Sequence, residues 1–340
     1  MIQNANFSFD DVGVVTVQLH EAPIVVTSDE VDARLAPFYE RTEGKAGLLE
    51  SLAGIRERRQ WPEGVSFTDA AAAAGEKAIA ASGIDRSAIG LMVDTSVCRA
   101  RLEPSSAVTV HDALGLPTTC LNFDLSNACL GFVNAMHLAG VMIDSGQIDY
   151  ALIVDGEGTN QVYDNTINYL NEHGTGIEDI FANFATLTLG SGAAAMVLGR
   201  HSTNPGSHQM MKGFFRAATQ HHELCVGSLE GMTTDTKALL DAGTELAKLA
   251  WDDAGAGESW GGRDRYILHQ ISEVHTNAML DVLNLEAETV PKTFPFYGNI
   301  GPAAIPITLA HVQDTLAVGD SVVCMGIGSG LNAGVIELRW

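Results

Sequence analysis

Four stretches of this chain carry residue types that could together do acyl chemistry on sulfur. Cys129 lies in the run 121–144, LNFDLSNACLGFVNAMHLAGVMID, where a strand-like start turns into a long apolar segment. If that segment is a helix, the thiol sits at its N-terminus. Unpaired N–H groups and the positive end of the helix dipole would lower its pKa there. His269 follows an apolar run in LHQIS, and Asn299 stands in YGNIGPAAIP, between Gly298 and Gly301. Gly326-Ile327-Gly328-Ser329-Gly330 forms a tight glycine loop after another apolar run. Singly, each has a plainer meaning: a small buried hydrophobe, a core histidine, a turn residue, a hairpin. Together they match acyl transfer on a thiol. The cysteine supplies the nucleophile, and histidine and asparagine donate hydrogen bonds to a thioester oxygen. Backbone N–H groups of a glycine loop and a helix start make an oxyanion hole.

These residues need a scaffold that places the ends of several elements side by side. Apolar runs at 12–19, 89–95, 119–125, 150–155, 193–198, 212–218, 265–268, 321–325 and 333–338 read as strands. Thr27-Ser28-Asp29-Glu30 resembles a capping box. Helical patterns cover 68–82, ending before Gly83, and 105–114, 234–254, 272–283 and 302–314. Strand and helix alternate in both halves, which predicts a layered α/β architecture. No sequence repeat is strong enough to prove duplication. The stretch 160–185 is polar, rich in Asn and Gly, and reads as an insertion outside the core, a candidate wall or lid.

Composition narrows the class. The 340 residues, 46% of them hydrophobic, suffice for two domains or one large two-part unit. A net charge of −23, from 42 acidic and 19 basic residues, disfavours nucleic acid and anionic membrane surfaces as partners. The one basic cluster, Arg56, Arg58 and Arg59 in GIRERRQW, is a candidate phosphate-binding patch or a set of structural ion pairs. Cys98, Cys120, Cys129, Cys225 and Cys324 are scattered and odd in number, without a CxxC. A disulfide framework or metal site is not expected, and a reducing cytoplasm fits. No membrane span or signal peptide is recognisable.

The motifs AGIRERR, DTSVC, FDLSNACLGF, LGSGAAAMVL, LHQ, YGNIGPAAIP and GIGSG resemble the thiolase superfamily in its ketoacyl synthase III branch. They run in family order over nearly the whole chain. The resemblance implies a duplicated, five-layered α/β/α/β/α sandwich, normally a homodimer. One half, 1–205 with the insertion 160–185, would carry the nucleophile; the other, 206–340, would carry His and Asn. It implies a triad of Cys129, His269 and Asn299, with oxyanion amides from Cys129 and from Ser329 or Gly330.

Within that branch, DTSVCRARLEPSSA, NACLGF, YALIVDGEGTN and GIGSGLN are most similar to the OleA enzymes. These join two fatty acyl-CoA molecules head to head, toward long-chain olefins or β-lactones. Such a reaction must remove a Cα proton, so it needs a base that a decarboxylating synthase does not. The resemblance assigns that role to Glu103, reaching into the partner subunit's site; otherwise Glu103 is a first-turn carboxylate beside Pro104. It implies long-chain acyl-CoA substrates, no separate cofactor, and downstream pathway enzymes as further partners. The rival readings are a ketoacyl synthase III using a malonyl carrier, a hydroxymethylglutaryl-CoA synthase-like enzyme, and a scaffolding subunit without turnover.

Overall fold

The structure, a computed structural model, describes residues 6–228, 231–253 and 260–340. Its centre is a ten-stranded sheet. From the first half of the chain come, in spatial order, Gly13–Glu21, Gly192–Gly199, Tyr150–Glu157, Ile89–Asp94 and Leu121–Asp124. From the second come His208–Ala217, Asn332–Arg339, Ser321–Gly328 and Arg265–Leu268, with Asn6–Ser8 added beside His208–Ala217. Each half places its first strand beside its last, then its penultimate, then its second. The sense of pairing repeats too: antiparallel, antiparallel, then parallel. The duplication that no sequence repeat reveals is therefore plain in the topology. Among the described residues the two ladders join at two residue pairs, Gly13 with Gln209 and Val14 with His208.

Side-chain alternation makes the layers, because successive strand residues face opposite sides. In Gly192–Gly199, Ala193, Ala195 and Val197 face outward onto Ala71, Ala74 and Ala78 of the helix Phe67–Ser82 and Val110 of Ser106–Ala113. Met196 and Leu198 face inward onto the helix Gly131–Asp144, through Phe132, Val133 and Met136. The same inner cluster holds Ile305 and Leu309 of the helix Ala304–Val312, and Ile267, Val322 and Ile336 from the second half. On the far side, Val323 and Val335 pack on Ala247 and Ala250 of Thr236–Asp253 and Met279 and Leu283 of Glu273–Leu283. Helices, half-sheet, two central helices, half-sheet and helices make five layers. Strands buried on both faces read as near-continuous apolar runs, as Gly192–Gly199 does.

Local signals explain the ends. Ser66 accepts from the Asp69 N–H and Asp69 returns the bond to the Ser66 N–H, so the Ala-rich helix begins at Phe67; Gly83, at φ 67°, ends it. Thr27 and Glu30 form the expected capping box. The stretch 160–185 differs from expectation. It forms most of two helices, Asn160–His173 and Ile177–Leu187, with a core of their own. Tyr163, Ile167, Leu170, Ile180 and Leu187 pack on Val31, Leu35 and Phe38. A stripe at 163, 167 and 170 has helical spacing, but the Asn and Asp between its members masked it.

Candidate active site

The strand Leu121–Asp124 delivers the chain to a turn carrying Cys129. Ala128 adopts a left-handed conformation, φ 45°, which costs a residue with a Cβ about 1–2 kcal/mol. The turn closes with the Leu130 N–H on Asn127 O at 3.0 Å and the Gly131 N–H on Ala128 O at 3.1 Å. Asn127 also donates to Asn134 Oδ1 at 2.7 Å and accepts from Asn332 Nδ2 at 3.2 Å. Its side chain thus ties the cysteine turn to the central helix and to the hairpin of the second half. The helix starts at Gly131, two residues beyond the thiol.

The glycine run is that hairpin. Gly326 and Gly328 belong to the strand Ser321–Gly328, and Ser329 and Gly330 lie in the tip joining it to Asn332–Arg339. Glycine is required at 328 by close approach: a Cβ there would lie 2.8 Å from Asn127 O. At Gly326 a Cβ would touch Leu130 and come within 3.8 Å of Cys129 O. The neighbouring Met325 accepts the His269 N–H at 2.8 Å. One strand therefore holds the cysteine turn and His269 through adjacent residues.

Both ring nitrogens of His269 are buried without a hydrogen-bond partner among the described residues. A buried polar group is left unpaired at a cost, so orphan ring nitrogens are what a site awaiting a ligand oxygen presents. Burial, reinforced by buried His275, pushes His269 down to about 3. The Gly301 backbone offers the ring a weak hydrogen bond that works in the opposite, upward direction, short of well-formed geometry. Gly301 donates its N–H to Asn299 Oδ1 at 3.0 Å, which leaves Asn299 Nδ2 as the free donor end among the described residues. The Asn299 backbone is pinned by its N–H on Thr188 O and by the Gly190 N–H on its carbonyl, both at 2.9 Å.

Cys129 departs from expectation. Burial pushes its thiol up to about 12, with further upward contributions from Glu157, Cys225 and Asp155. The helix that was to lower it begins too late, and two buried carboxyls stand near. Glu157 is raised to about 7 by burial, and Asp155 is raised well above the ordinary carboxylate range by burial and by Glu157. Neither was singled out from sequence, although two acids ending the apolar run YALIVDGE were a visible signal. A protonated thiol and a neutral imidazole make an uncharged pair. The cysteine proton must leave as the sulfur attacks.

Glu103 is not brought to this cluster. It lies with Arg101, Leu102 and Pro104 on an exposed loop. The basic cluster also separates. Arg58 is 0% exposed, donating to Tyr163 Oη and Ser28 Oγ at 3.2 Å each, so no phosphate in solvent can reach it. Arg59 pairs with Glu57 at 3.2 Å and lies over the Tyr297 ring, while Arg56 is exposed. Among the described residues no helix is long and apolar enough to cross a membrane, and no three His, Cys, Asp or Glu side chains are grouped to hold a metal ion.

The chain is similar along its whole length to proteins of known type. The acyl-CoA:acyl-CoA alkyltransferase of Xanthomonas campestris is 39% identical over 98% of this chain and 99% of its own. That of Shewanella oneidensis is 38% identical over 94% of this chain and 96% of its own. The chain belongs to the OleA family. Residues 123–217 match the 3-oxoacyl-[acyl-carrier-protein] synthase III family and 254–340 its C-terminal family. A crystal structure of X. campestris OleA superposes with a TM-score of 0.95 at 39% identity, over 98% of this chain and 100% of that one. Another, with bound lauric acid and lauroyl-CoA, gives 0.94 over the same shares. The fold is thus the thiolase-like one, at an identity where site residues can be compared. The beta-ketoacyl-[acyl-carrier-protein] synthase III of Bacillus pumilus is 27% identical over 86% of this chain and 89% of its own.

Proposed function

We propose that this chain condenses two long-chain fatty acyl-CoA molecules head to head, without decarboxylation, through an acyl-Cys129 intermediate. The observation that carries the reading is the 39% identity to an acyl-CoA:acyl-CoA alkyltransferase over 98% of the chain, against 27% to the B. pumilus synthase III.

In the first half-reaction the Cys129 sulfur attacks the thioester carbonyl of one acyl-CoA. A sulfur–carbon bond forms, the bond to CoA breaks, and the cysteine proton leaves with the CoA sulfur. The backbone N–H groups of Cys129 and of Ser329 or Gly330 hold the oxyanion. A second acyl-CoA then binds with its thioester oxygen on His269 and Asn299 Nδ2, which stabilise the enolate. Glu103 of the partner subunit removes the Cα proton. The carbanion attacks the acyl-Cys129 carbonyl, a carbon–carbon bond forms, and the Cys129 sulfur leaves and regains a proton. Water cleaves the remaining thioester, giving CoA and a 2-alkyl-3-ketoacid.

The homodimer is part of this reading. Leu102 is 99% exposed beside Glu103, and Val97, Val108 and Leu121 are exposed around the same edge of the sheet. An apolar tip of that kind is suited to burial in a second copy. Arg56 and Arg59 remain candidates for CoA phosphates; Arg58 does not. The thioesters need no separate cofactor, and five unpaired cysteines fit a reducing cytoplasm.

The test is incubation with myristoyl-CoA alone. Catalytic CoA release, with the ketone left by decarboxylation of the ketoacid, is expected. Release of no more than a single CoA per chain, with turnover only when a malonyl carrier is added, overturns the reading in favour of a synthase III.

A further inference from the structure

The exposed loop that carries Glu103 has two feet, and a carboxylate grips each. At the first foot, Glu157 accepts the N–H groups of Val97 at 2.6 Å and Cys98 at 3.3 Å. At the second, Asp124 accepts those of Ser106 at 3.0 Å and Ala107 at 2.7 Å. Asp124 stands at the start of the helix Ser106–Ala113, where a carboxylate is the ordinary capping choice. Glu157 has no such ordinary reason. It is 3% exposed, it ends the strand Tyr150–Glu157, and its neighbours are acidic.

The rest of the strand end grips the same foot. Asp155 accepts from Thr95 Oγ1 at 2.5 Å. The Gly156 N–H donates to Ser96 Oγ at 2.9 Å, and the Gly158 N–H to Cys98 Sγ at 3.3 Å. Arg99 spans the feet, with Nη1 on Cys98 O at 2.7 Å and Nε 3.5 Å from Asp124. Between the feet, residues 100–104 are exposed. On its other side the Glu157 carboxyl meets the Asn299 loop, its Oε1 lying 3.5 Å from where a Gly301 Cβ would be. The same side chain therefore touches the base of the Glu103 loop and the loop that presents Asn299.

We infer that Glu157 is a positioning residue for the condensation step: by gripping Val97 and Cys98 it sets where the loop carries Glu103. The inference rests on the reading of Glu103 as the base. The choice of carboxylate follows from the bonding, since in its ionised form both oxygens accept and neither donates. A glutamine would turn an N–H₂ group toward one of the two backbone donors. A base displaced by about 1 Å can lose about a hundredfold in rate. Acylation of Cys129 does not use Glu103, so it stays.

The test separates the two half-reactions in Glu157→Gln, using the full-length protein and myristoyl-CoA. Acyl-Cys129, read by intact mass spectrometry, also counts the folded chains. The expected result is a full equivalent of acyl-Cys129, formed at least as fast as in the wild type. Condensation falls by about ten- to a hundredfold, with a larger isotope effect from α-deuterated substrate as Cα deprotonation becomes limiting. Condensation at the wild-type rate, or loss of acylation in the same proportion, overturns the inference. Glu103→Gln distinguishes the failures. If it condenses normally, the reading of Glu103 falls and the inference with it. If it loses condensation while Glu157→Gln does not, only the positioning role falls.

Discussion

Cys129 works among groups that keep its thiol protonated. Burial pushes it up to about 12, while His269 is pushed down to about 3, so both are uncharged at neutral pH. Alkylation by iodoacetamide follows the thiolate. Its rate at Cys129 should climb steadily from about pH 7 to about pH 10, without the plateau of an activated thiol. A plateau near pH 7 would contradict this. Cys129→Ala should give no acyl adduct by mass spectrometry while keeping its fold. The histidines carry a stability consequence. Burial lowers His269 and His275, to about 3 and about 4, below their ordinary value. The unfolded chain then binds more protons, so their contribution is present above about pH 6.5 and is lost as pH falls toward the folded values. His275→Leu should lose less stability than the wild type between about pH 6.5 and about pH 4, measured by urea titration.

At the scale of elements, the site is held by close backbone approaches. A Cβ at Gly190 would lie 1.9 Å from Tyr297 O. Gly190→Ala should therefore cost more than about 2 kcal/mol in urea unfolding and take the Asn299 loop with it. Gly243, in the helix Thr236–Asp253, has nothing within 4 Å of its Cβ position. Gly243→Ala should instead stabilise by about 0.5–1 kcal/mol. Tyr163→Ala, in the core of the helix pair over 160–185, should cost about 3 kcal/mol or more. The strands and capped helices were legible because each signal is local: an apolar run, a Ser66–Asp69 box, a terminal Gly83. The pairing of Glu57–Gln60 with Ile24–Thr27 was not, because nothing in ERRQ marks the buried neighbours that take up Arg58. Cys129, His269 and Asn299 were visible from their loops. Glu157 left only a local hint, an acid at the end of the apolar run YALIVDGE, because its partners are backbone N–H groups sixty residues away in the chain.

On the whole molecule, a net charge of −23 loads the surface with mutual repulsion. Added salt should raise the thermal midpoint by screening it, over a Debye length that shrinks from about 10 Å at 0.1 M to about 3 Å at 1 M. Leu102→Asp should give monomers by size-exclusion chromatography that acylate Cys129 but do not condense. The sheet itself carries a further consequence. Its halves share one strand order, touch along two residue pairs, and each contribute a single helix to the middle layer. Cys129 belongs to one half, His269 and Asn299 to the other. That is the anatomy left when two copies of a half-sized ancestor, paired face to face, are fused into one polypeptide and then diverge. On the proposed mechanism the two halves are unequal, one carrying the nucleophile and the other the groups that receive the second substrate. Chemistry that uses two acyl chains in two different roles thus runs in a frame that began as symmetric.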